Sequence, residues 1–185
     1  MPLVPGGAQL AVNASNRDEY IRLLVAHHTE TRFGRQAALV RAGLLTVVPQ
    51  PILGLYSEAD LSTLITGLPE VSADEWRRHT VLQHGCPSDS PQLRWFWALV
   101  AEMTQQERGL LLRFCTGCSR LGAGGFAALE PRFCINLVSY DASRALPTAA
   151  TCFNLLKLPL YPDSRALRKS VTTAMLYGST GFAFS

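Results

Sequence analysis

The run Gln83-His84-Gly85-Cys86-Pro87-Ser88-Asp89-Ser90 is the feature that most limits how this chain can fold. Gly, Pro, Ser and Asp at that density support neither the 3.6-residue period of a helix nor the 2-residue period of a strand. The run reads as a linker or, more plainly, as a surface loop. It separates two stretches of different character. After a short extended start, residues 1–82 carry helical patterning, whereas residues 91–185 mix helices with short apolar strands. The expected class is α+β, with a mostly helical region over 1–82, a linker over 83–90 and a mixed region over 91–185.

In the first region, Pro5-Gly6-Gly7 makes a turn and Gln9-Leu10-Ala11-Val12 a short extended piece. Asn16 stands where a helix N-cap belongs. Asp18 and Glu19 follow in the first turn, where negative charge suits the helix dipole. Tyr20, Leu23, Leu24 and His27 fall at helical spacing. A second helix is predicted from Arg35 to Leu45, closed off by Pro49 and Pro51. Ser57 caps a third, whose apolar face is Leu61, Leu64 and Ile65 and which ends at Gly67. Ser72 and Glu75 have capping-box spacing and start a short helix carrying Trp76. No catalytic group stands out in residues 1–82, so structural support is the expected role.

In the mixed region, Leu93, Phe96, Trp97 and Val100 form an i, i+3, i+4, i+7 stripe on a helix over 92–103, with Trp95 off the stripe. Thr104 and Glu107 begin another helix, with Leu110, Leu111, Leu112 and Phe114 as its apolar side and Gly117 near its end. Residues 133–138 read as a strand. Asp163 or Ser164 caps a last helix reaching about Tyr177, with Leu167, Val171, Ala174 and Met175 inward and Gly178 as its stop. Ahead of that helix, a proline-started loop, Leu146-Pro147-Thr148-Ala149-Ala150-Thr151-Cys152-Phe153-Asn154, leads into the apolar stretch Leu155 to Tyr161. The small residues before Cys152 leave its approach side open, and Phe153, Leu155 and Leu156 are expected to anchor the strand behind it. Cys152 is placed to be reached.

Composition excludes several classes. No run approaches the roughly 18 consecutive apolar residues of a membrane helix, and the first residues have no basic stretch followed by an apolar one. Five cysteines with irregular spacing read as reduced thiols rather than a disulfide framework. The expected location is therefore cytoplasmic or nuclear. A net charge of +3, with its basic residues scattered, gives no nucleic-acid footprint.

Smaller motifs read the same way. Cys115-Thr116-Gly117-Cys118 has the spacing of a zinc or redox motif, but a zinc site needs a second ligand pair and a redox motif needs a βαβ setting. His27, His28, His79 and His84 have no ligand spacing with a cysteine pair. Gly122-Ala123-Gly124-Gly125 lacks the Lys-Ser/Thr of a P-loop and reads as a turn. Trp95-Phe96-Trp97 has no interleaved basic residues, so it reads as core rather than a stacking platform.

The loop around Cys152 resembles the active-site loop of HECT-type ubiquitin ligases, Leu-Pro-Xaa-Ala-His-Thr-Cys-Phe-Asn followed by Leu-Xaa-Leu-Pro-Xaa-Tyr. Only Ala150, where the family has histidine, departs from the first pattern. The resemblance continues through the segment from Arg113 to Leu121, similar to the family's Phe-Xaa-Thr-Gly-Xaa-Ser-Arg, and through Gly124-Gly125-Phe126. Pro5-Gly6-Gly7, Asn16 to Tyr20, Val47-Val48-Pro49, Leu61 to Gly67 and Asp74 to Thr80 extend it over nearly the whole chain, in the family's order.

This resemblance implies a definite organisation. Residues 1–82 would be the end of the helical N-lobe, 83–90 the hinge, and 91–185 the α/β C-lobe with the catalytic cysteine. Cys152 would accept ubiquitin from the thioester of an E2 conjugating enzyme and pass it to a lysine of a protein substrate. Thr151, Phe153 and Asn154 would shape the loop, and Phe182, at the place of the family's C-terminal phenylalanine, would organise the second transfer. Ala150 removes an imidazole near the thiol, which would slow a step without changing the reaction. No metal, nucleotide or other cofactor is implied, and no nucleic-acid or membrane partner. The family domain is about twice as long as this chain, so the alternative is a truncated, non-catalytic protein that binds ubiquitin or a sister ligase. A cysteine hydrolase is disfavoured, because no histidine lies in the motif near Cys152 to serve as its base.

Overall fold

The computed structural model describes residues 2–141 and 146–178. The chain divides into two units, Met1–Ser57 and Glu58–Ser185.

The first unit is helical: α1 (Arg17–Ala26), α2 (Gly34–Leu45) and the single turn α3 (Gln50–Leu53), with a π-helical turn, His27–Thr31, between α1 and α2. Asn16 occupies the N-cap position of α1, but its side chain turns away from the helix. Its Oδ1 accepts the Asn13 N–H at 2.8 Å and its Nδ2 donates to the Ala11 carbonyl at 3.1 Å, so it braces the preceding loop. None of the described residues of this unit is fully buried.

The second unit holds the core. In order, it contains α4 (Glu58–Thr66), α5 (Ala73–His79), β1 (Val81–Leu82), α6 (Pro91–Glu102), α7 (Gln105–Thr116), β2 (Cys134–Val138), β3 (Thr148–Ala150), β4 (Leu155–Pro159) and α8 (Ser164–Gly178). The sheet runs β1-β2-β4-β3; β1, β2 and β4 are parallel, and β3 is antiparallel to β4. This is the α+β class expected, although β1 and β3 were not foreseen. On β4 the alternation typical of a half-buried strand is clear: Leu156 and Leu158 are buried and Lys157 between them is exposed. Ile135 sits beside Leu156 on the adjacent β2.

Local signals correctly start α6, α7 and α8. Thr104 and Glu107 form a reciprocal capping box at the start of α7, and Gly117 ends that helix at φ +82°. The Ser90 hydroxyl accepts the Leu93 N–H ahead of α6, and Asp163 accepts the Ala166 N–H ahead of α8. The predicted inward residues of α6 and α8 are all buried. On α7 the buried set is Gly109, Leu111, Leu112 and Cys115, while Leu110 and Phe114 lie at its margin.

Three features differ in their packing from the sequence reading. Residues 71–82 share the core of the second unit. Trp76 of α5 is fully buried, stacked on Phe126 with centroids 5.0 Å apart and edge-on to Phe133 and Trp97; aromatic pairs of this kind add about 0.5–1.5 kcal/mol each beyond area burial. β1 then joins the sheet, and the pairing runs on into the expected hinge, where the Gln83 N–H donates to the Ile135 carbonyl at 2.9 Å. Further along, Cys86 Sγ accepts the Leu137 N–H. Residues 83–90 are thus laced to β2 and both flanks share one core.

The second change concerns α4, whose expected inward face is open, with Leu64 53% and Ile65 74% exposed. The third concerns Glu75. Ser72 does accept the Glu75 N–H, yet the Glu75 carboxylate does not close a capping box; it accepts the Phe126 N–H, 51 residues away, at 3.0 Å.

Candidate active site

Cys152 lies on a one-turn 3-10 helix, Thr151–Phe153, that connects β3 to β4. The two strands pair antiparallel, with Ala150 opposite Leu155 and Thr148 opposite Lys157, so the turn projects from the end of a hairpin on the sheet. The sequence predicted a loop running into a strand; pairing of the small residues Thr148, Ala149 and Ala150 makes the approach a strand as well. Ala150 is fixed there by backbone pairing and is half-buried.

Asn154 is what closes the turn. It is the one described non-glycine residue with positive φ, at +48°, a region that asparagine tolerates better than most L residues. Its N–H donates to the Thr151 carbonyl at 3.3 Å, and its own carbonyl accepts the Cys134 N–H at 2.9 Å. Its Nδ2 donates to the Pro131 carbonyl at 2.6 Å. Only 6% of Asn154 is exposed, so its side-chain amide is a buried polar group with a partner. The turn is therefore tied on one side to the chain leading into β2.

Thr151 is half-buried beside the end of α7, where a Cβ added to Gly117 would stand 3.9 Å from the Thr151 Cβ. α7 also contacts β3 and the Cys152 turn. Phe153 departs from its expected anchoring role. It is 66% exposed, whereas Leu156, expected to anchor beside it, is fully buried. Phe182 lies outside the described residues.

The five cysteines differ in surroundings. Cys152 and Cys118 are exposed, Cys86 and Cys134 are half-buried, and Cys115 is buried. Burial pushes the Cys115 thiol far above its ordinary range. The Cys134 thiol is also raised, mainly by desolvation and further by Cys86 nearby. Cys115 faces the core while Cys118 faces solvent, so the two ends of the Cys-Xaa-Xaa-Cys spacing do not share a surface. Among the described residues no three His, Cys, Asp or Glu side chains are gathered to hold a metal ion, and no helix is long and apolar enough to cross a membrane.

The Pro131 carbonyl as partner of Asn154, and Gly117 as neighbour of Thr151, were not identified from sequence. An asparagine between two strand-like segments was the available signal for the first, since a tight reversal there calls for positive φ. Nothing local marked the second.

What this arrangement can do chemically is present an unencumbered thiol on a rigidly supported turn. An exposed cysteine sulfur suits nucleophilic attack on an activated acyl group.

Comparison with known proteins agrees with the loop resemblance. The model of the HECT-domain (ubiquitin-transferase) matches residues 1–185. The E3 ubiquitin-protein ligase HACE1 of Danio rerio is 36% identical over 190 aligned positions, covering 100% of this chain and 21% of the relative. The HACE1 of Homo sapiens is 34% identical, again over 100% of this chain and 21% of its own length. The E3 ubiquitin-protein ligase ptr1 of Schizosaccharomyces pombe is 35% identical over 99% of this chain but 6% of its own. The chain thus spans about a fifth, or less, of the length of these curated relatives. A family match from end to end, together with relatives above 30% identity, means that this chain belongs to the HECT-domain (ubiquitin-transferase) family.

Proposed function

We propose that this chain is the thiol-bearing part of a ubiquitin ligase and that Cys152 carries ubiquitin between a conjugating enzyme and a substrate lysine. The observation that carries this reading is the exposed Cys152 on a 3-10 turn held between two paired strands by Asn154. The Cys152 thiolate attacks the carbonyl carbon of ubiquitin's terminal glycine in the donor thioester. A new sulfur–carbon bond forms, the old one breaks, and the donor cysteine leaves as its thiolate. The amine of a substrate lysine then attacks the Cys152 thioester; an isopeptide bond forms, the amine loses a proton, and Cys152 departs as thiolate. Both steps use an already activated acyl group, which is why one thiol suffices without a histidine base.

Supporting roles follow from position. Thr151 and Asn154 fix the turn from either side, and Asn154 does so through three backbone and side-chain hydrogen bonds. The exposed Phe153 ring offers an apolar contact beside the sulfur for the incoming chain. Phe182 is proposed to assist the second transfer. Ala150 supplies no proton-transfer group, so neither step is routed through it. A free nucleophilic thiol suits a reducing compartment, the cytoplasm or nucleus.

The test mixes the protein with ubiquitin-charged conjugating enzyme and resolves the products on a non-reducing gel. The expected result is a ubiquitin adduct that thiol reductant removes and that Cys152→Ala abolishes. If no adduct forms, Cys152 is tested again after this second unit is joined to an intact N-lobe of a relative. Failure there sinks Cys152 as the carrier.

A further inference from the structure

We propose that the cleft beside the Cys152 turn, formed by Arg113, Arg120 and the backbone of residues 117–122, binds an acidic stretch of the protein that accepts ubiquitin. This rests on the transfer reading above and assigns it a class of acceptor. The cleft, of about 530 Å³, lies wholly within the second unit. Its wall runs from the end of α4, where Leu64 and Ile65 add an apolar edge beside Thr66 and Gly67, to the turn that follows α7. Gly67, at φ +81°, permits this close approach, since a Cβ there would fall 2.6 Å from the Leu121 carbonyl oxygen. The Leu68 N–H donates to that same carbonyl at 2.7 Å. The cleft is a built feature rather than a gap between loose loops.

Its charge is one-sided. Arg113 and Arg120 both line it, and none of its lining residues is acidic. Among the described residues neither guanidinium is ion-paired; Arg120 reaches only the Thr66 hydroxyl, at 3.5 Å, and both side chains belong to exposed residues. Two unpaired guanidiniums in one concave wall favour carboxylates, which arginine can bind in bidentate fashion. Ser119 adds a hydroxyl at the same rim.

Position links this wall to the chemistry. Gly117 lines the cleft and also abuts Thr151, the residue before Cys152. A peptide seated against Arg113 and Arg120 therefore runs alongside the reactive turn. Aspartate or glutamate near the acceptor lysine would hold that lysine at high local concentration beside the thioester.

The test measures binding rather than transfer. A fluorescent peptide with one lysine flanked by Asp and Glu is titrated against the full 185-residue chain by anisotropy, beside a counterpart carrying Asn and Gln. Each exposed pair is worth only a few-fold, but reversal of both arginines also adds repulsion. The acidic peptide should bind about tenfold tighter than the amide one, and the double variant Arg113→Glu with Arg120→Glu should remove that advantage. Lys169→Glu, a charge reversal at another exposed residue, on α8, should leave it intact. Circular dichroism of each variant checks folding. Equal binding of the two peptides, or an advantage that survives the double reversal, overturns the proposal. Neither result touches the reductant-sensitive adduct on Cys152, so the two readings fail separately.

Discussion

The Asn154 side chain donates to the Pro131 carbonyl at 2.6 Å while its own backbone sits at φ +48°, so one buried residue both reverses the chain after Cys152 and ties that reversal to the approach to β2. The two contributions can be separated. Asn154→Gly keeps the conformation and loses the side-chain hydrogen bond, for an expected loss of about 1 kcal/mol. Asn154→Ala loses both, and the left-handed backbone adds about 1–2 kcal/mol more. Urea denaturation should rank wild type above Gly and Gly above Ala. Equal stability of Gly and Ala would show that the backbone carries no strain there.

Glu75 and Gly125 form a second long-range tie. The carboxylate accepts the Phe126 N–H, and a Cβ at Gly125 would fall on top of Glu75 Oε1. Gly125 also has φ +60°. Gly125→Ala must displace the carboxylate, break that hydrogen bond and strain the backbone, for an expected loss of about 2–3 kcal/mol. Gly117→Ala is the comparison: its φ is +82°, but the new Cβ meets only Thr151 at an ordinary 3.9 Å. It should cost only the left-handed backbone strain of an alanine, about 1–2 kcal/mol. If both substitutions shift the urea midpoint equally, the Glu75 contact is not stabilising.

Thiol labelling should follow burial. Brief treatment of the folded protein with iodoacetamide, read by peptide mass spectrometry, should modify Cys152 and Cys118 first and the half-buried Cys86 and Cys134 more slowly. Cys115, buried and with its thiol pushed up, should react only on unfolding. Early labelling of Cys115 would contradict the packing of α7.

Tyr161 sets an alkaline limit. Burial pushes its hydroxyl up to about 12 from 10.0, against a hydrogen bond with Ser170 that lowers it, and Tyr140 nearby raises it further. The folded chain keeps a proton that the unfolded chain releases near pH 10. Above that point the unfolded state binds fewer protons, so stability declines as pH rises from 10 towards 12, and the contribution is complete below 10. Denaturation midpoints should fall over this window in wild type and fall less in Tyr161→Phe, whatever constant offset the lost hydrogen bond adds.

Local features of this protein are legible along the chain. Thr104 with Glu107, Ser90 and Asp163 begin their helices as their spacing dictates. The stripe of Leu93, Phe96, Trp97 and Val100 is buried because a helix of that period presents one face. A run of small residues before Cys152 does leave the thiol exposed. Other features came from the chain's path in space. Glu75 had a capping partner three residues away and took one 51 residues away, because Gly125 brings a free N–H to its carboxylate. Trp76, read as part of a helical support, entered the core with Phe126 and Phe133, and β1 paired with β2, some fifty residues away. Phe153, expected to anchor, lies on the 3-10 turn ahead of β4 and is exposed, while Leu156 on β4 is buried. Caps and periods act between residues within a turn of one another, so sequence spacing is enough to find them. Partners that meet only after folding leave no such spacing to read.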